Sequence, residues 1–297
     1  MAGNASSAGR VGFVGLGNMG RPMSGHLAAA GYEVIGFDVS PEATRWIAGA
    51  DGITAAPSLT AVGEGTDAVI LMLPDSDVVE QVLLADGLLA SLPPGATVVD
   101  MSSSDPARTR ELAALASASG VTLIDAPVSG GVAGAVAGSL TIMVGGDEQA
   151  VTAVRPMLAA IGSRVVHAGG VGAGHAVKAL NNLLSAAHLI ATSEALIAGR
   201  RFGLDPAVML DIINGSSGRS GSTENKWPRY VLTGSYDAGF PVRLMVKDLR
   251  LALDIERATG TASTVSEATL AAWSAAAADL PADADHTQIA RWIDSLG

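Results

Sequence analysis

Short apolar runs and longer amphipathic stretches alternate between Val11 and His167. Each run is rich in β-branched residues and is bounded by Gly, Pro or Asp, which is typical of a buried strand. The predicted strands are Val11–Val14, Glu33–Phe37, Ala68–Leu73, Thr97–Asp100, Thr122–Asp125, Leu140–Val144 and Arg164–His167. The predicted helices between them are Met19–Ala30, Pro41–Gly49, Ser76–Leu84 and Pro106–Ala118. Because strands alternate with helices, this part of the chain is predicted to form a parallel, doubly wound α/β sheet.

The pattern becomes entirely helical after a glycine-rich stretch at residues 169–174. One long helix is predicted at His175–Gly199, and shorter ones at Asp205–Ile213, Val242–Ala258, Val265–Ala278 and Gln288–Leu296. We therefore expect a disordered tail at residues 1–9, an α/β domain at residues 10–170 and an all-helical domain at residues 171–297.

Composition narrows the function. Hydrophobic residues make up 48% of the chain and charged residues 16%, which excludes a disordered protein. The net charge of −11 argues against a nucleic-acid partner, because neutralising phosphates requires a basic surface. There is no Cys and the five His are scattered, so we predict no metal site. The most apolar stretch, Leu180–Ala198, is too polar for lipid, and we expect a cytoplasmic protein without a membrane partner.

A glycine motif joins the first predicted strand to the first predicted helix. Its six residues, Gly15, Leu16, Gly17, Asn18, Met19 and Gly20, fit the pattern G-x-G-x-x-G. In such a motif the first Gly permits a tight turn, the second lets a pyrophosphate approach the backbone, and the third lets the helix pack closely on the sheet. The motif therefore predicts a dinucleotide site; the alternative is a glycine-rich turn in some other α/β fold.

Asp38 ends the second predicted strand, eighteen residues beyond Gly20. A carboxylate there can accept hydrogen bonds from the ribose hydroxyls and would repel a 2′-phosphate. Val39 and Ser40 follow instead of an Arg, so NAD is favoured over NADP, although Arg45 remains within reach. We also assign Leu73 and Pro74, at the end of the third long strand, to the cofactor site.

Four ordered blocks of sequence resemble the β-hydroxyacid dehydrogenases of the 3-hydroxyisobutyrate dehydrogenase type. They begin at Phe13 (FVGLGNMGRPMS), Asp125 (DAPVSGG), Gly172 (GAGHAVKALNN) and Lys247 (KDL), and together they span nearly the whole chain. The resemblance implies a Rossmann-type domain, a long interdomain helix and an all-helical domain that takes part in dimerisation. It also implies a substrate cleft between the domains and a homodimer or homotetramer.

The resemblance also implies roles for individual residues. Lys178 would be the catalytic residue and Asn182 would orient the substrate. Ser129 and Gly130, with Gly131 after them, would hold the substrate carboxylate. Lys247 would close the site, against both substrate and cofactor.

Residue chemistry gives Lys178 independent support. It lies near the predicted start of an apolar helix, where the helix dipole disfavours an ammonium by about 0.3–1 kcal/mol. A half-buried lysine is a poor structural choice there but a useful proton donor. Asn182 lies one turn further on the same face, and Ser185 extends this polar stripe. The alternative is a lysine that reaches from the helix end into solvent.

Three further candidates are less distinctive. The Ser129-Gly130-Gly131 turn follows the apolar run Val121–Val128, and Ser102 follows another strand, so both are expected at the ligand-binding edge of the sheet. Ser102 is expected to contact the nicotinamide or the substrate there. Arg219, in a polar loop, could meet an anionic head group or lie exposed. Lys247, four residues after Arg243, could be an anion clamp or an ordinary surface lysine.

These observations predict an NAD-dependent oxidoreductase that interconverts a small β-hydroxyacid and its semialdehyde by hydride transfer, with Lys178 as general acid and base. One alternative is an imine-reducing relative, which generally lacks the lysine and asparagine pair. The other is a non-catalytic protein that binds NAD.

Overall fold

The computed structural model describes residues 9–297, so the predicted tail at residues 1–9 lies outside them apart from Gly9. Nine strands form one sheet within this range. In chain order they are β1 (Arg10–Val14), β2 (Glu33–Phe37), β3 (Ile53–Ala55), β4 (Ala68–Leu71), β5 (Thr97–Asp100), β6 (Thr122–Asp125), β7 (Val128–Ser129), β8 (Thr141–Gly145) and β9 (Arg164–Gly169).

Helices fill the intervals and the carboxyl-terminal part of the chain. They are α1 (Gly20–Ala29), α2 (Pro41–Ile47), α3 (Leu59–Gly63), α4 (Ser76–Glu80), α5 (Leu88–Ser91), α6 (Pro106–Ala118), α7 (Gly131–Val136), α8 (Glu148–Ile161), α9 (Ala173–Phe202), α10 (Pro206–Asn214), α11 (Val242–Thr259), α12 (Thr264–Asp279) and α13 (Ile289–Ser295). The described residues also form two π-helical segments, Gln81–Ala85 and Ser222–Val231, and a 3-10 turn, His286–Gln288.

The sheet has the order β3-β2-β1-β4-β5-β6-β8-β7, and β9 pairs with β8. All pairs from β3 to β6 are parallel, whereas β8 is antiparallel to β6 and β7. The strand order reverses between β1 and β4, and ligands of doubly wound sheets bind beside the carboxyl ends of the strands at such a point. The predicted Rossmann-type class is confirmed for this part of the chain.

Alternating side chains on the strands build two separate cores, one on each face of the sheet. Phe13, Ile70 and Ile124 belong to one core, and their neighbours Val69 and Leu123 belong to the other. Successive strand residues point to opposite faces, and both faces are covered by helices, so the strands are apolar throughout. This explains why the strand pattern was readable as continuous apolar runs.

Three features differ from the sequence prediction. The third long strand ends at Leu71, not Leu73. The apolar run Val121–Val128 is not one strand, since β6 ends at Asp125 and β7 is a separate two-residue strand antiparallel to β8. The short strand β3 and the helices α3, α5, α7 and α8 were missed. Asp147 nevertheless caps α8 by accepting the N–H groups of Gln149 and Ala150.

The chain divides into two compact units, the first ending at Lys178 and the second comprising Ala179–Gly297. The long helix α9 begins in the first unit and continues into the second. In the second unit α9 to α13 surround a core that includes Trp227, Leu249 and Trp273, all nearly inaccessible to solvent. No helix in the described range is long and apolar enough to cross a membrane.

Candidate functional site

The glycine motif forms a tight loop between β1 and α1. Gly15 has φ +97°, a conformation that side chains disfavour, and a Cβ there would overlap the Met72 carbonyl. A Cβ on Gly20 would overlap the Gly15 carbonyl, so the loop and the helix are in close contact. Asn18 and Met19 lead into α1, with Met19 immediately before the helix.

Gly17 behaves differently from its two neighbours in the motif. A Cβ built on Gly17 would meet no atom within 4 Å, so protein packing does not require glycine there. The open backbone fits the close approach of a pyrophosphate, and the N–H groups at the start of α1 favour an anion. The residues present therefore fit a dinucleotide.

Asp38 lies directly beside this loop, after the carboxyl end of β2. Its Oδ2 accepts the N–H of Leu16 at 2.6 Å, and its Oδ1 accepts the N–H of Ser40 at 2.7 Å. Leu16 itself is fully buried. The carboxylate is therefore held in one orientation by the loop that would carry the pyrophosphate.

Ser102 links the ends of two strands. The N–H of Leu73, after β4, donates to Ser102 Oγ at 3.0 Å, and the N–H of Ser102 donates to Asp100 Oδ1 at 3.0 Å. The Ser102 side chain has no exposed surface. Ser102 therefore holds the Leu73–Pro74 segment in place, and its contact with a ligand stays a prediction.

The Ser129-Gly130-Gly131 segment joins β7 to α7. Ser129 pairs with Thr141 of β8 and is half-buried, whereas the two glycines are exposed. The exposed backbone and hydroxyl suit an anion, as expected from the sequence. The sequence prediction placed this segment at the carboxyl end of a parallel strand. In the structure it instead follows β7, which is antiparallel to β8.

The first turn of α9 is anchored to the end of β6. Asp125 is fully buried and accepts the N–H of Gly172 at 2.7 Å through Oδ1 and the N–H of His175 at 2.8 Å through Oδ2. Gly172 has φ +86°, and a Cβ on Gly174 would overlap the Met143 carbonyl. The two glycines therefore let the helix begin against the sheet. Lys178, half-buried, follows at the sixth position of α9.

Asn182, in the second unit, is buried and contacts a residue that the sequence prediction missed. Its Nδ2 donates to Asp248 Oδ2 at 2.6 Å, and Lys247 Nζ lies 3.2 Å from Asp248 Oδ1. Asp248 is only 1% exposed. The structure thus brings Asn182 and Lys247 to one carboxylate. Asp248 could have been found from the sequence, because it is an acidic residue within the apolar stripe of α11. Its buried neighbours on that stripe are Met245, Leu249 and Ala252.

Arg219 lies in another part of the second unit. Its Nε is 2.7 Å from Glu224 Oε1, and the side chain is 62% exposed. It lines a cavity of about 350 Å³ together with His188 and Thr192, which follow Asn182 on α9 by six and ten residues. The predicted contact with a substrate anion would compete with Glu224.

A second lysine, also missed from sequence, approaches α9. Lys226 Nζ donates to Ser185 Oγ at 2.6 Å from a π-helical segment, a type of helix frequent at functional sites. Burial lowers the pKa of the nearby His286 imidazole, the Asp285 carboxylate raises it, and the charge of Lys226 lowers it. His286 is therefore favoured in its neutral form beside this cation.

Two family models together match almost the whole chain. The NAD binding domain of 6-phosphogluconate dehydrogenase matches residues 10–170. The NAD-binding domain of NADP-dependent 3-hydroxyisobutyrate dehydrogenase matches residues 172–293. The chain therefore binds a nicotinamide dinucleotide.

Named relatives cover most of the chain. Human mitochondrial 3-hydroxyisobutyrate dehydrogenase is 43% identical over 88% of this chain and 79% of its own. The NAD-dependent L-serine dehydrogenase of Pseudomonas aeruginosa is 40% identical over 88% and 90%. The 2-(hydroxymethyl)glutarate dehydrogenase of Eubacterium barkeri is 41% identical over 82% and 81%.

Solved structures agree with these matches. The 3-hydroxyisobutyrate dehydrogenase of Mycobacterium tuberculosis, solved with L-serine, superposes with a TM-score of 0.89 at 35% identity, covering 96% of this chain and 99% of its own. The imine reductase of Streptomyces aurantiacus has a TM-score of 0.65 at 20% identity over 96% and 99%, a likeness of fold alone. The dehydrogenase prediction is thus supported over the imine-reducing alternative, and the chain belongs to the 3-hydroxyisobutyrate dehydrogenase family of nicotinamide-dependent oxidoreductases.

Proposed function

We propose that this enzyme interconverts a small β-hydroxyacid and its semialdehyde with NAD, using Lys178 as general acid and base. The observation that carries the proposal is the position of Lys178 and Asn182, one turn apart on a helix whose first turn is fixed by Asp125. Residues four apart on a helix are neighbours on one face. An amine and an amide there can both address one hydroxyl or carbonyl group.

Within this proposal each residue has a separate task. The dinucleotide, when bound, accepts or supplies the hydride. Lys178 takes the proton of the substrate hydroxyl during oxidation and returns it to the developing alkoxide during reduction. Ser129 and the exposed N–H groups of Gly130 and Gly131 bind the substrate carboxylate. The positive charge of Lys247 attracts the substrate carboxylate and the phosphates of the dinucleotide.

Asp248 gives Asn182 a defined orientation. Since a carboxylate only accepts hydrogen bonds, the atom of Asn182 that faces Asp248 is its Nδ2, which leaves Oδ1 as an acceptor on the other side. The contact from the Asn181 amide to that Oδ1 is long, 3.4 Å. Oδ1 of Asn182 is therefore proposed to accept a hydrogen bond from the substrate hydroxyl.

The preference for NAD over NADP rests on Asp38. Its carboxylate is fixed by two backbone N–H groups beside the glycine loop, where a 2′-phosphate would meet its charge. Arg45, the cation considered from sequence, is exposed on α2, and Arg21 pairs with Glu42 at 2.9 Å. One relative is named as NAD-dependent, while one matching family model is named for an NADP-dependent enzyme.

The proposed substrate class follows from the carboxylate site and from the relatives. Their names point to 3-hydroxyisobutyrate, L-serine and 2-(hydroxymethyl)glutarate, each a carboxylate with a hydroxyl group on the β-carbon. A panel of these three compounds, followed by the absorbance of the reduced cofactor, tests the class. If the enzyme turned over none of the three compounds, the proposal would be contradicted.

Assembly and domain division are also proposed. We place the boundary near Gly170, between the two family matches, and expect a homodimer or homotetramer in the cytoplasm. Several large apolar side chains of the helical unit are exposed, among them Leu184, Phe202, Val208 and Ile212. Val208 and Ile212 lie four residues apart on α10 and are therefore neighbours on one exposed face, which supports association.

Replacing Lys178 tests its catalytic role. Lys178→Met keeps the length of the side chain and removes the amine, so kcat should fall by about 10²–10⁴-fold, the usual contribution of a general acid or base. The Kd for NADH and the melting temperature should stay near those of the unmodified enzyme. Arg250→Met, an exposed cation on α11, serves as the matched control. Near-normal turnover by Lys178→Met would remove the proposed mechanism.

Replacing Asp38 tests the cofactor preference. In Asp38→Ser the repulsion of a 2′-phosphate is lost, and the ratio of kcat/KM for NAD to that for NADP should fall by at least about tenfold, equivalent to about 1.4 kcal/mol. Glu42→Gln, the next acidic residue along the chain, should leave the ratio unchanged. If the unmodified enzyme already uses both cofactors with equal efficiency, the role assigned to Asp38 is wrong.

Replacing Asp248 tests the orientation of Asn182. Asp248→Asn keeps the shape but offers both a donor and an acceptor, so the amide of Asn182 can turn over. Loss of a charged hydrogen bond of about 1.5–3 kcal/mol should lower kcat/KM by about 10–100-fold. The matched control is Asp254→Asn, an exposed residue on the same helix. Unchanged kcat/KM in Asp248→Asn would show that the contact does not orient Asn182 for catalysis.

A further inference from the structure

A buried histidine joins the start of α9 to the ends of two strands. His175 is 1% exposed. Its Nε2 lies 3.1 Å from the carbonyl oxygen of Ser102, and its Nδ1 lies 2.9 Å from Thr109 Oγ1 on α6. Its backbone N–H donates to Asp125. All these residues belong to the first unit, as does Lys178, three residues further along the helix.

The direction of one hydrogen bond is fixed by its partner. A carbonyl oxygen can only accept, so Nε2 of His175 carries the hydrogen and donates to Ser102. The imidazole is thereby held in the plane of this contact. Few other side chains could donate to the Ser102 carbonyl from the position of Nε2 and also contact the Thr109 hydroxyl from the position of Nδ1.

Ser102 is consequently held on three sides. Its N–H is bound by Asp100, its Oγ by the N–H of Leu73, and its carbonyl by His175. Asp100 is fixed in turn by the hydroxyl of Ser104, which donates to Oδ2 at 2.9 Å. One imidazole therefore connects the backbone after β4 and β5 with the helix that carries Lys178.

We infer that His175 is a positioning residue for hydride transfer. It sets the backbone of Ser102, and through it that of Leu73, at a fixed distance from the first turns of α9. Those loops lie at the sheet edge assigned to the dinucleotide, while α9 carries the amine assigned to the substrate hydroxyl. The inference rests on the proposed function for Lys178. It adds a residue that fixes the position of the dinucleotide site relative to the Lys178 amine.

A positioning role for His175 and a purely stabilising role lead to different experimental results. A buried residue that only fills space would change the melting temperature, whatever donor it carries. A positioning residue would change kcat and the deuterium isotope effect on hydride transfer, while the Kd for NADH stays the same. Small errors of reacting geometry are costly in rate.

Two substitutions separate these cases. In His175→Gln the side-chain amide reaches the position of Nε2 and keeps a donor for the Ser102 carbonyl. In His175→Asn the amide reaches only the position of Nδ1, so the contact with Thr109 can remain while the one with Ser102 is lost. The pair thus differs mainly in the bond at issue.

We expect His175→Asn to lower kcat by about tenfold or more, the cost of one lost hydrogen bond in a buried site. The primary isotope effect with deuterated substrate should rise, and the Kd for NADH should change less than about twofold, well below the tenfold that corresponds to 1.4 kcal/mol. His175→Gln should recover most of the activity. Thr109→Val, which removes the other partner, should have a smaller effect than His175→Asn.

Crystal structures of the two histidine variants give a readout that does not depend on turnover. The Ser102 carbonyl should move in His175→Asn and remain in place in His175→Gln. Equal loss of activity in both variants, or loss that follows the melting temperature alone, would overturn the inference. Absence of turnover in the unmodified enzyme would instead count against the proposed function, and the position of Ser102 would still be decided by the crystal structures.

Discussion

The candidate site depends on the hydrogen bonds that the buried carboxylate of Asp125 accepts at the start of α9. This carboxylate lies at the end of β6 and accepts two backbone N–H groups from the first turn of α9. The N-terminus of a helix carries partial positive charge and free N–H donors, so an anion there satisfies both. Glycine is required at position 174 because a Cβ there would overlap the Met143 carbonyl of β8, and at position 172 because φ is +86° and a Cβ would overlap the Pro106 carbonyl of α6. The position of Lys178 follows from this contact, since Lys178 lies three residues, or less than one turn, beyond His175.

A second buried carboxylate has a comparable role in the helical unit. Asp248 would be costly to bury alone, but it contacts both the ammonium of Lys247 and the amide of Asn182. Removing a partner of a buried polar group leaves that group unsatisfied, which typically costs about 1–3 kcal/mol and more when the group is charged. The two carboxylates thus hold the candidate chemistry in place from different elements: one fixes where the helix starts, and the other fixes how an amide on that helix is turned. Neither needs to contact a substrate to matter for the reaction.

Much of this arrangement could be predicted from sequence because it depends on local patterns. Apolar runs marked the parallel strands, the glycine motif marked the loop after β1, and Asp38 marked the end of β2. Helical spacing placed Lys178 and Asn182 on one face, and the family resemblance supplied their proposed roles. What could not be predicted depends on contacts between distant segments. Asp125 contacts residues forty-seven and fifty positions away, and the pairing of Asn182 with Asp248 spans sixty-six. Ser102 was placed at the correct edge, but its burial depends on Leu73 and His175, which no spacing reveals.

Proton exchange between the Lys178 amine and the substrate hydroxyl can be tested by a ternary crystal structure. The enzyme would be crystallised with NAD and a hydroxyacid that it binds but turns over slowly, and the distance from Lys178 Nζ to the substrate hydroxyl oxygen would be measured. We expect Lys178 Nζ to lie within hydrogen-bond distance of that oxygen, about 2.6–3.2 Å, or to be linked to it through one water. A substrate bound against the nicotinamide ring with another titratable group at its hydroxyl, and with Lys178 turned away, would contradict it.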